Sequence, residues 1–464
     1  MQISRTNSLV ELFFNKLNEV EDKKVFLKWL KPNKNYEFNW KEVGEKILKL
    51  SAEIKSLIKE GDRCILLSEN RPEWLIADIA IMNAGGISVP IFTTYAPNDY
   101  EYILNDCSPS LIIVSGHDQL KKIKKFTKNE KIISFEKVEG VNLSLEQIFK
   151  KKEKTQEKIN KNLNRIMPAC IIYTSGTSGN PKGVILSHGG ILSNCEGAMN
   201  LLKPLIEKKS PIFLTWLPLS HSYEHTVQFI QIVIGAEVFY AESLEKLISN
   251  MGEAKPTIMT AVPRFYQNLF NKINMNFNKQ TGLKKILIFN TVQLGIKKLN
   301  RIQLTFTEKI LNFICEILVR KKVKKQFGGK LKAFVSGGGA LDKEIGEFLN
   351  SIGLPTLQGY GLTETSPVVS CNPINKIRVE TVGPPFKGNQ VKIAEDGEIL
   401  VKGENVMLGY WNKKEDTEKV LKDGWLYTGD IGEIDPQDGY LKITDRKKDI
   451  IVSAGGDNIS PAKI

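Results

Sequence analysis

Short apolar runs recur along the chain at 64–67, 87–92, 111–114, 170–173, 212–217, 236–240, 257–262 and 331–336. Several are continuous rather than alternating, the pattern of strands covered by helices on both faces. Stretches with helical spacing lie between them, and this alternation predicts α/β layers around mostly parallel sheet. From about residue 383 the texture changes. The runs 390–393, 398–401 and 440–443, with the turn signals EDG and QDG between them, predict short antiparallel strands. The expected architecture is a layered α/β/α body to about residue 382, then a small antiparallel β unit over about 383–444.

Two segments break this rhythm. Residues 121–165 are lysine-rich and include KKKEKTQEK, read as a solvated surface excursion. Residues 268–330 are apolar and basic with helical spacing, for instance Ile310, Phe313, Ile314, Ile317 and Leu318. Two readings of this insert stay open. It is a helical pair packed on the body with a wet face, or a basic apolar face resting on an anionic membrane surface.

Charge sharpens the second segment. The formal net charge is +13, and residues 271–330 carry 14 Lys/Arg against 2 Glu, hence +12 of that excess. Only 9 of the 65 basic residues are Arg, the preferred reader of bases and phosphate forks, so nucleic acid is not an expected partner. Apolar content of 41% and charged content of 25% are ordinary for a folded protein, which excludes disorder. No run of about 18 apolar residues predicts a spanning helix. The start, MQISRTNSLVELFFNKL, reads as a capped amphipathic helix rather than a secretory signal. Six scattered cysteines lack metal spacing and are expected to be free thiols in a reducing cytoplasm. Peripheral contact at the inner face of the membrane goes with the second reading of the insert.

Candidate chemistry begins at 173–183, YTSGTSGNPKG, where three glycines, four Ser/Thr hydroxyls and a lysine follow a buried run. Backbone N–H groups, hydroxyls and a cation suit phosphate oxygens. It is not the familiar P-loop, because Pro181 stands where the second glycine belongs and Gly183 follows Lys182. Three later stretches add to it. SGGGALDKEI from Ser336 is a strand running into glycines and a helix. LQGYGLTET, 357–365, supplies Tyr360, two threonine hydroxyls and Glu364, a carboxylate suited to Mg²⁺ beside phosphates. DGWLYTGD and YLKITDRKKDI supply Asp430 and Arg446, an acceptor for sugar hydroxyls and a partner for phosphate or ribose oxygens. Each alone is as readily a turn or a surface pair.

Together and in this order, YTSGTSGNPKG, YGLTET, YTGD and DRKKD resemble the signature motifs of the adenylate-forming (AMP-binding) superfamily, and the resemblance covers essentially the whole chain. PIFTTYAPNDYEYILNDCSPSLIIV, LPLSHSYEHTVQ, AVPRFYQNLF and the helical insert before LKAFVSGGGAL resemble the long-chain fatty acid–CoA ligase branch. The resemblance implies the superfamily's large N-terminal body. It also implies activation of a fatty acid by ATP to an acyl adenylate, then thioester formation with CoA, with Mg²⁺ as cofactor.

By motif match, Thr174, Ser175, Gly176, Thr177, Ser178, Gly179 and Lys182 would hold the β- and γ-phosphates. Thr363 would contact the α-phosphate, and Glu364 would bind Mg²⁺. Gly338, Gly339, Ala340 and Tyr360 would embrace adenine, with Gln358, Gly359 and Gly361 in the same wall. Asp430 would take the ribose hydroxyls, and Arg446 the ribose or α-phosphate side. His221 matches a residue near the reacting carboxylate, expected as a gate to the acyl entrance rather than a proton carrier. His225, Glu224 and Trp216 have no match, and His225 is read as a packing or surface histidine.

The superfamily also has a mobile C-terminal lid, whose hinge would fall at Lys448. Here 445–464 would be the hinge and the start of that lid, and the sequence stops at ISPAKI. The expectation is a record cut short rather than a protein that works without its lid. An acyl-AMP ligase serving a carrier protein and a non-catalytic nucleotide or acyl-adenylate binder share these motifs. Chain-length preference and oligomeric state are not legible.

Overall fold

The continuous apolar runs become strands because both of their faces are covered. The structure, a computed structural model, describes residues 3–31, 36–141, 143–151, 157–174, 180–206 and 211–447, and the backbone pairing of Ile451–Val452 with Asn458–Ile459. Among these residues one eight-stranded sheet has the spatial order Gly409–Tyr410, Lys182–Ser187, Pro168–Thr174, Ile87–Ile91, Arg63–Leu67, Leu111–Val114, Lys131–Ser134, Leu143–Ser144. From Pro168–Thr174 onward its strands are parallel, and the first two pair antiparallel. A second has the order Val368–Cys371, Thr356–Gly361, Ala333–Ser336, Ile258–Ala261, Ile212–Thr215, Glu237–Tyr240, Val25–Trp29, Tyr36–Asn39, parallel except at its two ends.

Alternation within one strand shows the layering. In Arg63–Leu67, Cys64 and Leu66 face a core shared with the second sheet, while Ile65 and Leu67 face the helices Pro97–Cys107 and His117–Ile123. The shared core holds the helices Leu9–Leu17, Trp40–Lys55, Pro72–Asn83, His188–Ile206 and Ser222–Val233. Trp40 sits there with its ring stacked 3.8 Å from Phe26 and 5.8 Å from Phe13. Truncating such a side chain costs about 3–5 kcal/mol. The protein is thus a layered α/β structure of mostly parallel sheets.

A third, antiparallel sheet of five strands is built from Gln390–Ile393, Glu398–Lys402, Leu421–Lys422, Trp425–Ile434 and Leu441–Arg446. It has a small core of its own around Ile399, Val401 and Leu441.

Two segments differ from their expectation. Residues 121–165 are not only a surface excursion. Lys131–Ser134 and Leu143–Ser144 extend the first sheet, and Ile133, Phe135, Leu145 and Ile148 are buried beneath the exposed lysines. The insert forms helices Pro263–Asn278, Gly282–Leu299 and Phe306–Cys315, the last continuing through Glu316–Arg320 into Lys321–Gln326. It packs on the outer face of the second sheet through Ile273, Val319 and Val323. Gly295 allows the close approach of Gly282–Leu299 to helix Lys343–Ser351, for a Cβ there would lie 2.5 Å from the Ser351 Cα. Buried Arg320 ties the insert down, donating to the carbonyls of Ser351 (2.7 Å) and Thr291 (2.9 Å). The stripe at Ile310, Phe313, Ile314, Ile317 and Leu318 points outward, so the wet face is itself apolar.

Candidate functional site

All three sheets contribute walls to one cavity of about 820 Å³. Thr174 reaches it from the first sheet, and Gly338, Gly339, Ala340, Gln358, Gly359, Tyr360 and Gly361 from the second. Thr363 and Glu364 follow on a short 3₁₀ turn, His221 caps helix Ser222–Val233, and Asp430 and Arg446 come from the third sheet. An apolar stretch of its wall includes Ala198, Leu201, Leu202, Val227, Ile230 and Phe386. Lys182 is not in this wall but lies one side chain behind it. Ser175, Gly176, Thr177, Ser178, Gly179 and Lys448 lie outside the described residues.

Strand register sets the polar end. Pro168–Thr174 and Lys182–Ser187 form an antiparallel pair in which Thr174 stands opposite Lys182, so the ends of the phosphate-loop stretch face each other. Lys182 Nζ is 2.8 Å from Asp416 Oδ2 and 5.2 Å above the Tyr410 ring. The Tyr410 hydroxyl in turn donates to Glu364 Oε1 at 2.8 Å. Lys182 and Glu364 are therefore joined through Tyr410. Burial, and then the Glu364 carboxylate, push the Tyr410 phenol up, while Lys182 holds the Asp416 carboxyl below its usual range.

At the other end Asp430 is buried, accepts from the Tyr360 hydroxyl at 2.7 Å and from Arg446 Nε at 3.2 Å, and pairs with Arg446 in the strand ladder. Burial raises its carboxyl above the ordinary value despite both donors. The Leu341 N–H donates to Gln358 Oε1 at 3.0 Å, fixing that amide beside the glycine turn. Two glycines are dictated by geometry. Gly338 has φ +77°, and a Cβ on Gly361 would sit 1.8 Å from the Pro367 carbonyl oxygen.

The Thr363 hydroxyl is 3.1 Å from that of Ser222 at the start of helix Ser222–Val233. His221 Nδ1 accepts the Tyr223 N–H at 3.1 Å, and its ring meets Phe92 edge-on at 6.3 Å. Although the ring borders the open cavity, the crowded walls lower its pKa, and an accepting Nδ1 fits the neutral imidazole. His225 is wholly buried, with Nε2 2.9 Å from Asp78 Oδ2. Burial opposes its charge, but Asp78 outweighs it and raises the pKa to about 10. Glu224 is also buried. It accepts from the Thr260 hydroxyl at 2.7 Å, and burial lifts its pKa to about 7.

Glu364 fits Mg²⁺ only in company. Among the described residues no three carboxylate, histidine or cysteine side chains are grouped closely enough to hold a metal by themselves. Mg²⁺ takes one or two carboxylates and completes its shell with phosphate oxygens and water. Tyr410 and Asp416 are site neighbours that the motif reading missed. Their only signal is GYWNKKED, whose relevance depends on Gly409–Tyr410 pairing with Lys182–Ser187.

The family model for AMP-binding enzymes matches residues 13–411. The chain is similar to the long-chain-fatty-acid–CoA ligase FadD15 of Mycobacterium bovis, at 30% identity over 414 residues, covering 87% of this chain and 68% of the relative. It is similar to long-chain-fatty-acid–CoA ligase 5 of Rattus norvegicus, at 29% identity over 496 residues, covering 99% and 71%. Among solved structures, the anthranilate CoA ligase AuaEII in complex with anthranoyl-AMP shares the fold, with a TM-score of 0.77 at 21% identity, covering 100% of this chain and 83% of that one.

Proposed function

The chain belongs to the AMP-binding enzyme family, and on that footing we propose that it activates a long-chain fatty acid with ATP and passes the acyl group to CoA. One observation carries the reading: a single cavity joins a polar end suited to a nucleotide to an apolar wall suited to an acyl chain.

A carboxylate resists thiol attack because its oxygen is a very poor leaving group. In the first step a carboxylate oxygen attacks the α-phosphorus of ATP, and the bond to pyrophosphate breaks. In the second the CoA sulfur, having given up its proton, attacks the acyl carbon, and AMP departs with the electron pair of the acyl–oxygen bond. Such transfers depend on positioning and charge neutralisation. Lys182, with Thr174 and 175–179, takes the β- and γ-phosphates, and Thr363 the α-phosphate. Asp430 accepts from the ribose hydroxyls, Arg446 pairs with ribose or α-phosphate oxygens, and Tyr360 with 338–340 flanks adenine. His221, neutral, gates the acyl entrance. Glu364 would hold Mg²⁺, which when bound neutralises phosphate charge.

In this reading residues 1–444 are the catalytic body and 445–464 the hinge and start of a lid, pivoting at Lys448. The enzyme is cytoplasmic and touches the inner face of a membrane peripherally through 271–330. No helix among the described residues is long and apolar enough to cross one. The test supplies oleate, ATP, Mg²⁺ and CoA and follows pyrophosphate and thioester. Both are expected to form. Pyrophosphate without acyl-CoA would point to a carrier protein as acceptor, and ATP binding without pyrophosphate release would overturn catalysis.

A further inference from the structure

The helical insert presents an apolar face that no other described residue covers. On helix Gly282–Leu299 it comprises Leu283, Ile286 and Phe289, three residues apart. On the continuous helix beginning at Phe306 it comprises Phe306, Ile310, Phe313, Ile314, Ile317 and Leu318, one stripe at helical spacing. Leu283 is 85% exposed, Phe306 78% and Phe313 66%. Eleven of the fifteen exposed large hydrophobic side chains among the described residues fall between Met275 and Leu318. That is a patch, not the scatter of single apolar side chains common on protein surfaces. It is not misplaced core either. The opposite sides of these helices bury Leu294, Cys315, Val319 and Val323, the last two in the core against the second sheet.

Charge says what the patch meets. Exposed Lys284, Lys285, Lys309, Lys321, Lys322 and Lys325 border the stripe. The two carboxylates of 271–330 are engaged within the insert, Glu308 with Lys297 at 2.6 Å and Glu316 with Arg320 at 3.7 Å. A second copy of the chain would set +12 against +12. A nucleic acid would satisfy the lysines but leave the phenylalanines in water. An anionic bilayer satisfies both, with headgroups for the ammonium groups and the acyl boundary for the stripe.

We infer that residues 282–325 form an interfacial docking face for an anionic lipid bilayer, lying in its surface plane with Phe306, Phe313 and Leu318 below the headgroups. This gives the peripheral contact named above a defined face and lipid chemistry. It stands apart from the ligase chemistry, because turnover and vesicle binding are read on separate surfaces.

The experiment sediments the full chain with vesicles of neutral phosphatidylcholine, with and without anionic phosphatidylglycerol, at low and high salt. Anionic vesicles are expected to retain the protein and neutral ones to retain far less. The Lys321→Gln/Lys322→Gln/Lys325→Gln variant should bind on the order of a hundredfold more weakly at low salt, at about fivefold per charge. Phe306→Ser/Phe313→Ser should lose binding at either salt. Thermal melting and turnover of a water-soluble acid should stay as in the parent, since these side chains are exposed. Equal retention by both vesicle types, retention by neither, or unchanged binding of both variants would overturn the inference. So would a dimer, seen in analytical ultracentrifugation, that Phe306→Ser/Phe313→Ser dissolves. DNA binding lost in the lysine variant, with no vesicle binding, would overturn it too.

Discussion

Gly197, in helix His188–Ile206, lies so close to Phe386 that a Cβ on it would stand 2.2 Å from the Phe386 Cδ2 and 2.7 Å from its Cβ. The second distance means that rotating the ring cannot relieve the contact. Phe386 lines the apolar wall of the cavity, beside Ala198, Leu201 and Leu202. Gly197→Ala is therefore expected to push Phe386 into the space proposed for the acyl chain and to cost about 1–3 kcal/mol of stability. Melting temperature should fall, and turnover should shift from oleate towards dodecanoate. An unchanged ratio of the two acids would remove Phe386 from that wall.

Lys182 is held by Asp416 in this state, so phosphates must compete for it. Lys182→Ala is expected to weaken ATP binding about ten- to hundredfold, the range for a charge-assisted hydrogen bond, with little change in melting. Asp416→Asn should do the opposite and tighten ATP a few-fold, since it removes the competing carboxylate. Calorimetric titration of both variants reads the pair, and equal affinities in all three proteins would exclude Lys182 from phosphate contact.

The Tyr360–Asp430 bond aims a buried carboxylate into the cavity. If Asp430 accepts from ribose, Asp430→Ala should weaken ATP about ten- to hundredfold. The variant should also cease to distinguish ATP from 2′,3′-dideoxy-ATP. A discrimination that survives the substitution would place the sugar elsewhere.

Glu224 gives a pH signature. Its pKa is raised to about 7 from an ordinary value of 4.5. Between these values the folded protein binds a proton that the unfolded chain does not, so stability falls as pH rises through this window and levels off above about 7. Removing the ionisation with Glu224→Gln should leave melting nearly unchanged at pH 4.5. It should raise stability progressively towards pH 8, by up to about 3 kcal/mol. Parallel melting curves across that range would show that the carboxyl stays ionised.

Strand runs such as 111–114 and 390–393 coincide with their elements because burial on both faces, or clean alternation, is written locally. Three features were not written locally. In 121–165 lysines outnumber the few apolar residues that seat Lys131–Ser134 in the sheet. The outward turn of Phe313 and Leu318 depends on which side of their helix meets the second sheet, and both sides are apolar. The Tyr410 and Asp416 contacts arise only because Gly409–Tyr410 docks on a strand more than two hundred residues earlier. The motifs placed Thr174, Glu364 and Asp430 without their geometry, and the sheets gather these side chains around one cavity.

That cavity has another consequence. Three separately hydrogen-bonded sheets supply much of its wall, and the helices His188–Ile206 and Ser222–Val233 supply apolar side chains between them. Tilting one of these slabs against another would widen or narrow the space between them, so that in this motion the sheets work like the jaws of a calliper. Guest size is thereby converted into an angle, and distance measurements between labels on the first and third sheets would read it.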